Sequence, residues 1–281
     1  MKVGLVLEGG AMRGLYSAGV LDVFLDNDIE FDGIIGVSAG VLFGVNYLSK
    51  QRGRAIRYNK KFLNNKKYMG VWSLLKTGNI VNKEFSFYTV PQKLDIFDNE
   101  EYKKSKTKFY ATITNMKTGK PEYVEVTDVF EQMEVLRATS AMPYVSKVVE
   151  LETGEYLDGG ISDSIPVEKC KELGYDKIIV ILTRPIDYRK KKPKEFLAKF
   201  AYRKYPNFAK TLNNRYKMYN ETVEKIINME NKKEIFVIRP SRLIHVKRIE
   251  KNPEKLQEIY ELGIEDAKKK MDELKKFLSK K

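Results

Sequence analysis

The residue best placed for chemistry is Ser38, at the centre of Gly36-Val37-Ser38-Ala39-Gly40. A serine on a sharp strand-to-helix turn sits in a strained backbone, and glycines two residues to either side remove side chains that would clash there. The helix N-terminus that follows aims unpaired N–H groups at the same spot, where negative charge would develop. A serine hydroxyl is a poor nucleophile until a base takes its proton, so the pattern demands a partner.

Two partners are available. Ser38, Asp158 and His245 follow one another in the order of an α/β-hydrolase triad. His245, the single histidine, lies in the basic run Ser241-Arg242-Leu243-Ile244-His245-Val246-Lys247-Arg248, where no glycine turn presents it. Asp158 heads Asp158-Gly159-Gly160, whose glycines let the chain bring the carboxylate close. A free aspartate, with a pKa of about 3.9, is a weak base at neutral pH, but burial raises that value. The expected arrangement is Asp158 acting directly on Ser38, with the histidine triad as its rival.

A third stretch could hold the developing charge. Glu8-Gly9-Gly10-Ala11-Met12-Arg13-Gly14 follows the β-branched run Lys2-Val3-Gly4-Leu5-Val6-Leu7 and precedes apolar residues at helical spacing over 15–25. Strand, glycine loop and helix together make a backbone cradle for an anion. The loop lacks the Gly-Lys-Ser/Thr of a Walker P-loop, and Ala11 stands where a dinucleotide fingerprint needs its middle glycine. Two readings remain: a loop that donates its N–H groups to an oxyanion, and a plain structural turn.

The elements that must carry these groups are legible in the same way. Residues 2–7, 31–35 and 177–183 read as buried strands, and 108–114 with 122–126 as a strand pair. Residues 54–63, 128–137 and 166–173 read as helices, as does a charged C-terminal segment from about Pro253, and residues 234–238 give a last strand. Trp72, beside Met69, Val71, Leu74 and Leu75, reads as core or as part of an acyl pocket or lid.

Composition narrows the class. A chain of 281 residues with 42% apolar content supports one large α/β domain, with or without an appendage. One cysteine, Cys170, excludes an internal disulfide and a cysteine metal cluster and fits a reducing cytoplasm; one histidine removes the usual histidine metal sites. Glu8 interrupts the apolar start, so no signal peptide is expected, and the uncharged run over 33–49 is explained by the elbow rather than by a membrane span. The net charge of +14 reads either as an attraction to anionic polymers or to anionic lipid head groups at a membrane surface, or as a Lys-rich solvated surface. Residues 188–217 concentrate it, with eleven Lys or Arg, a single acidic residue (Glu195) and seven aromatics. No nucleic-acid reading motif accompanies the charge, so nucleic acid is not an expected partner.

Taken together, Gly9-Gly10-Ala11-Met12-Arg13-Gly14, Gly36-Val37-Ser38-Ala39-Gly40 and Asp158-Gly159-Gly160, with Ala138-Thr139-Ser140-Ala141-Met142-Pro143 before the aspartate, resemble the motifs of the patatin-like phospholipases. These are lipid acyl hydrolases with a Ser-Asp dyad. The resemblance covers residues 3–183 and implies a three-layer α/β sandwich with a mainly parallel central sheet. Residues 184–281 then form a basic, mostly helical C-terminal region with one added strand, packed on the first part. The resemblance also implies hydrolysis of lipid esters through an acyl-serine, with Ser38 and Asp158 catalytic and with Gly9, Gly10 and Ala11 forming the oxyanion hole. Arg13, Gly14, Gly36, Gly40, Gly159 and Gly160 support the motifs; no metal and no cofactor is required. Arg13 is expected to anchor its loop, with contact to a lipid phosphate as the alternative. Ala11 departs from the family's third glycine and matters if that position needs φ > 0. The rivals are acyl transfer at the same site and a lipid-binding protein without turnover. The implied substrate is a lipid ester, met in the cytoplasm or at the inner face of a membrane with anionic lipid; oligomeric state stays open.

Overall fold

The computed structural model of the protein describes residues 1–279. Its eight strands form one sheet: β1 (Val3–Leu7), β2 (Gly33–Val37), β3 (Lys108–Asn115), β4 (Pro121–Glu125), β5 (Val149–Leu151), β6 (Gly154–Asp158), β7 (Lys177–Ile181) and β8 (Ile235–Ile238). The helices are α1 (Leu15–Asp26), α2 (Ala39–Leu48), α3 (Arg54–Phe62), α4 (Val71–Thr77), α5 (Asn99–Lys104), α6 (Met133–Ser140), α7 (Val167–Glu172), α8 (Glu195–Ala201), α9 (Pro206–Asn231) and α10 (Pro253–Ser279). A twelve-residue π helix, Lys83–Leu94, had no counterpart among the periodicities read from the sequence.

The central strands β3, β2, β1, β7 and β8 are mutually parallel, which explains their near-continuous apolar runs: both faces are covered. Alternation along each strand assigns the two faces. Leu5, Leu7, Ile34, Ile179 and Ile181 point into one core with α1, α2 and α10, while Val6, Ile35, Ile178 and Val180 point into a second with α7 and α9. The result is a three-layer α/β/α sandwich with a mixed, mostly parallel sheet.

One junction in this sheet positions the site. β2 pairs with β3 up to Val37 opposite Thr112, and β6 takes over at the next rung, Asp158 opposite Ile113. β4 pairs with residues 110–114 of β3 across this whole span, so β2 and β6 share the other edge, end to end. The C-terminal ends of β2 and β6 therefore meet, bringing Ser38 against Asp158 across 120 residues of chain.

The C-terminal part of the chain is woven into this framework. β8 extends the sheet beside β7, and α10 crosses α1 so closely that a Cβ on Gly19 would collide with the Tyr260 carbonyl and one on Gly263 with the Tyr16 carbonyl. Tyr16 hydroxyl donates to Asp266 at 3.1 Å across the same crossing. Among the described residues, no helix is long and apolar enough to cross a membrane.

Candidate active site

Ser38 is the residue between β2 and α2, at φ 55° and ψ −120°, a backbone region that non-glycine residues rarely occupy and that costs on the order of 1–3 kcal/mol. The conformation survives because its surroundings fix it. Ser38 N–H donates to Thr139 Oγ1 at 2.9 Å, and that hydroxyl in turn donates to the Thr112 carbonyl at 2.6 Å. Gly40 lets α2 start over the end of β1: a Cβ there would lie 2.6 Å from the Leu7 carbonyl oxygen.

Ser38 Oγ donates to Asp158 Oδ2 at 2.8 Å, and the other carboxylate oxygen accepts the Gly160 N–H at 2.8 Å. Both residues are buried. Burial pushes the Asp158 carboxyl above the ordinary aspartate range, with Arg215 first and then Ser38, Gly160 and Arg248 pulling it back. Gly159 is obligatory where it stands, since a Cβ would run into the Thr112 carbonyl at the strand junction.

The loop over 8–14 packs against this pair. A Cβ on Gly9 would meet the Val37 carbonyl oxygen at 2.8 Å and Ser38 Cβ at 2.9 Å, so the loop backbone lies directly on the elbow. The N–H groups of Gly9, Gly10 and Ala11 donate to no described residue. Ala11 adopts φ 50°, so the position does require the left-handed backbone, and alanine takes it at about 1–2 kcal/mol. The loop is held by Glu8, whose carboxylate accepts from Thr183 N–H at 2.6 Å, Thr183 Oγ1 at 3.1 Å and the Tyr219 hydroxyl at 2.9 Å. Arg13, expected to be the anchor, donates no side-chain hydrogen bond to a described residue, and its buried Nε has no partner. Gly14 packs against Ala39 and Phe43 of α2.

His245 is exposed, on the irregular segment before α10, and does not line either cavity at Ser38. Trp72 is 41% exposed and outside the cavity wall; of the group around it, Met69 lines the cavity and packs against the core, while Val71, Leu74 and Leu75 do not line the cavity. Among the described residues no cluster of His, Cys, Asp or Glu could hold a metal ion.

Two cavities open on Ser38. One, about 980 Å³ including its mouth, is apolar, with Leu42, Phe43, Phe87, Val90, Met133 and Leu136 in its wall. The other, about 700 Å³ including its mouth, contains Asp158, the loop glycines and a group of basic side chains. Sequence reasoning quoted Thr139 without a role and missed Thr183, Tyr219, Arg215 and Arg248. Arg248 stood three residues from the histidine that drew attention.

Fold and site define a class: an α/β/α sandwich whose strand-to-helix serine is hydrogen-bonded to a carboxylate beside a glycine-rich loop. Comparison with known proteins gives the family. A model described as patatin-like phospholipase matches residues 5–171, and one described as a domain of unknown function (DUF6363) matches residues 205–279. The chain belongs to the patatin-like phospholipase family, a lipid-hydrolase family. It is 27% identical over 277 residues to the uncharacterized protein YjjU of Escherichia coli K12, covering 93% of this chain and 75% of that one. It is 29% identical over 195 residues to lysophospholipase nte1 of Aspergillus fumigatus, covering 66% of this chain but 12% of that much longer protein. Among solved structures, VipD from Legionella pneumophila aligns with a TM-score of 0.46 at 13% identity, covering 97% of this chain and 67% of that one.

Proposed function

We propose that the protein hydrolyses carboxylic esters of lipids through an acyl-serine, with Ser38 as nucleophile and Asp158 as base. The observation that carries this reading is the 2.8 Å hydrogen bond from Ser38 Oγ to Asp158 Oδ2 at the mouth of an apolar cavity. Ser38 attacks the ester carbonyl as its proton passes to Asp158, and the carbonyl oxygen becomes an oxyanion facing the free N–H groups of Gly9, Gly10 and Ala11. Collapse expels the alcohol, which takes the proton from Asp158. Water then attacks the acyl-serine as Asp158 accepts its proton; collapse releases the fatty acid while Asp158 returns that proton to Ser38 Oγ. The raised pKa of Asp158 suits this duty, because a base closer to neutrality accepts the proton more readily. Residues 3–183 supply the dyad and loop; residues 184–281, basic and mostly helical, pack on them and add a strand to the sheet.

Labelling with a fluorophosphonate tests the reading: the adduct is expected on Ser38 of the wild type and absent from Ser38→Ala. Absence of an adduct on folded wild-type protein would favour a binding protein without turnover. Acyl transfer differs only in the alcohol that replaces water.

A membrane surface is the proposed partner. On α8, Phe196, Leu197 and Phe200 are 64%, 48% and 78% exposed, flanked by Lys191, Lys194, Lys199 and Arg203. Tyr202, just past α8, accepts a hydrogen bond from Tyr144 N–H at 2.8 Å, which ties this patch to the cavity residues Met142 and Pro143. Apolar side chains ringed by cations suit the interface of an anionic bilayer.

A further inference from the structure

Ser38 stands between two cavities of opposite character. The apolar one suits an acyl chain. The other is lined by five cations, Arg13, Arg184, Lys190, Arg215 and Arg248, against two carboxylates, Glu8 and Asp158.

Both carboxylates are occupied. Glu8 is taken up by Thr183 and Tyr219, and Asp158 by Ser38 and Gly160. None of the five cations forms an ion pair with a described residue, although Lys and Arg elsewhere pair repeatedly with Asp and Glu. The Nε groups of Arg13 and Arg215 are sealed from solvent and donate to nothing. The Arg184 guanidinium lies 4.1 Å over the Tyr188 ring, and Lys190 Nζ 2.9 Å over the Tyr219 ring. Burial first, and then Arg215, pushes the Lys190 ammonium well below the ordinary lysine range; burial and then Arg184 bring Arg13 down to about 10. Five cations gathered against two carboxylates that are already hydrogen-bonded, four of the five at least partly withdrawn from solvent, oppose folding. They are the arrangement expected where the missing anion arrives with a ligand.

We propose that this cavity is a head-group subsite for a phosphate carried on the alcohol side of the scissile ester. The acyl chain fills the apolar cavity, the carbonyl sits at Ser38, and the phosphate meets the cationic wall. Several guanidinium forks approaching from different elements match the many oxygens of a phosphate better than the two of a carboxylate. A head group capped with a quaternary ammonium would bring a further cation into the same wall, so the favoured substrate carries an uncapped phosphate. Arg184, Lys190, Arg215 and Arg248 all lie beyond residue 183, so the C-terminal region supplies the selectivity. The assignment to a cleaved substrate rests on the hydrolase reading of Ser38.

Binding to full-length Ser38→Ala protein, measured by calorimetry, separates the subsite from turnover. Hexanoyl lysophosphatidic acid is compared with monohexanoylglycerol, hexanoyl lysophosphatidylcholine and glycerol phosphate. The phosphate monoester is expected to bind about tenfold to a hundredfold more tightly than the neutral ester, the range of one or two charge-assisted hydrogen bonds. It should also exceed the choline ester. Equal binding of the first two would overturn the proposal. Glycerol phosphate binding as tightly as the lipid would show a site for free phosphate and overturn the lipid assignment.

Arg215→Gln and Arg184→Gln in the same background should each bring the preference down at least about threefold, and a preference unchanged in both would contradict the proposal. Raising the salt concentration on the unmutated wall should shrink the preference, a readout that needs no variant to fold. The hydrolase reading is scored separately, by whether wild type cleaves nitrophenyl hexanoate. If it does not, that reading falls while the binding comparison still decides the subsite.

Discussion

The hydroxyl of Thr139 clasps the elbow to the sheet: it accepts the Ser38 N–H at 2.9 Å and donates to the Thr112 carbonyl at 2.6 Å. Thr112 is the residue of β3 where β2 ends and β6 begins, so one side chain ties the nucleophile's strained backbone to the junction that delivers its base. Thr139→Val removes the hydroxyl at nearly constant shape and leaves a buried N–H and a buried carbonyl unsatisfied. Stability should fall by about 1–3 kcal/mol, and ester turnover by at least about tenfold as Ser38 drifts. Thr139→Ser should retain both. A thermal melt beside a short-chain ester assay checks the pair; full activity in the valine variant would show the elbow to be held by other contacts.

Ala11 at φ 50° makes the oxyanion loop testable from the backbone alone. Ala11→Gly relieves about 1–2 kcal/mol of left-handed strain and loses about 0.4–1 kcal/mol through the freer unfolded chain. A small net gain in stability is expected, with turnover within about threefold of wild type. Ala11→Val, β-branched at the same φ, should lose at least about a hundredfold in turnover, the scale of losing one oxyanion donor. If the valine variant kept its turnover, Ala11 would not belong to the oxyanion hole.

The pH profile reports on Asp158. The base must be ionised to act, so kcat/KM should fall as pH drops through the Asp158 pKa, with a midpoint above the ordinary value of 3.8 because burial favours the neutral acid. Arg215 is the strongest influence holding that value down. Arg215→Gln removes a positive charge from beside the carboxylate, and the midpoint should move to higher pH. A midpoint that stays put, or moves down, would mean that the acid limb belongs to another group.

Vesicle flotation addresses the surface of α8. Anionic vesicles should carry the protein up the gradient more than neutral ones, and Phe196→Ser with Phe200→Ser should reduce flotation on both while leaving the melting temperature within a few degrees. Equal binding to neutral and anionic vesicles would remove the electrostatic part of the account.

Local chemistry made much of this legible in the sequence. The elbow announces itself because two backbones approach at Gly36 and Gly40, and the Asp158-Gly159-Gly160 turn because a side chain at 159 cannot coexist with the Thr112 carbonyl. The buried strands stood out as uninterrupted apolar runs covered on both faces. What stayed hidden depends on contacts distant in the chain. Asp158 reaches Ser38 because β6 continues the edge that β2 vacates, a register no local pattern encodes. Thr139 looked like any helix-end threonine. Arg215 belonged to a stretch whose charges read as a solvated or membrane-facing surface, yet its guanidinium turns inward beside Asp158, while Phe196 and Phe200 of that stretch do face out. The segment containing His245 was weighed for its imidazole, but it is Arg248 that borders Ser38.

The central claim is that Asp158, and not His245, takes the proton from Ser38. The most direct measurement is kcat/KM on a nitrophenyl short-chain ester for wild type, Asp158→Asn and His245→Ala, each confirmed folded by circular dichroism. The account predicts at least a thousandfold loss in Asp158→Asn, on the scale of removing a general base, and a His245→Ala enzyme within about threefold of wild type. Loss of turnover in His245→Ala with Asp158→Asn still active would contradict it.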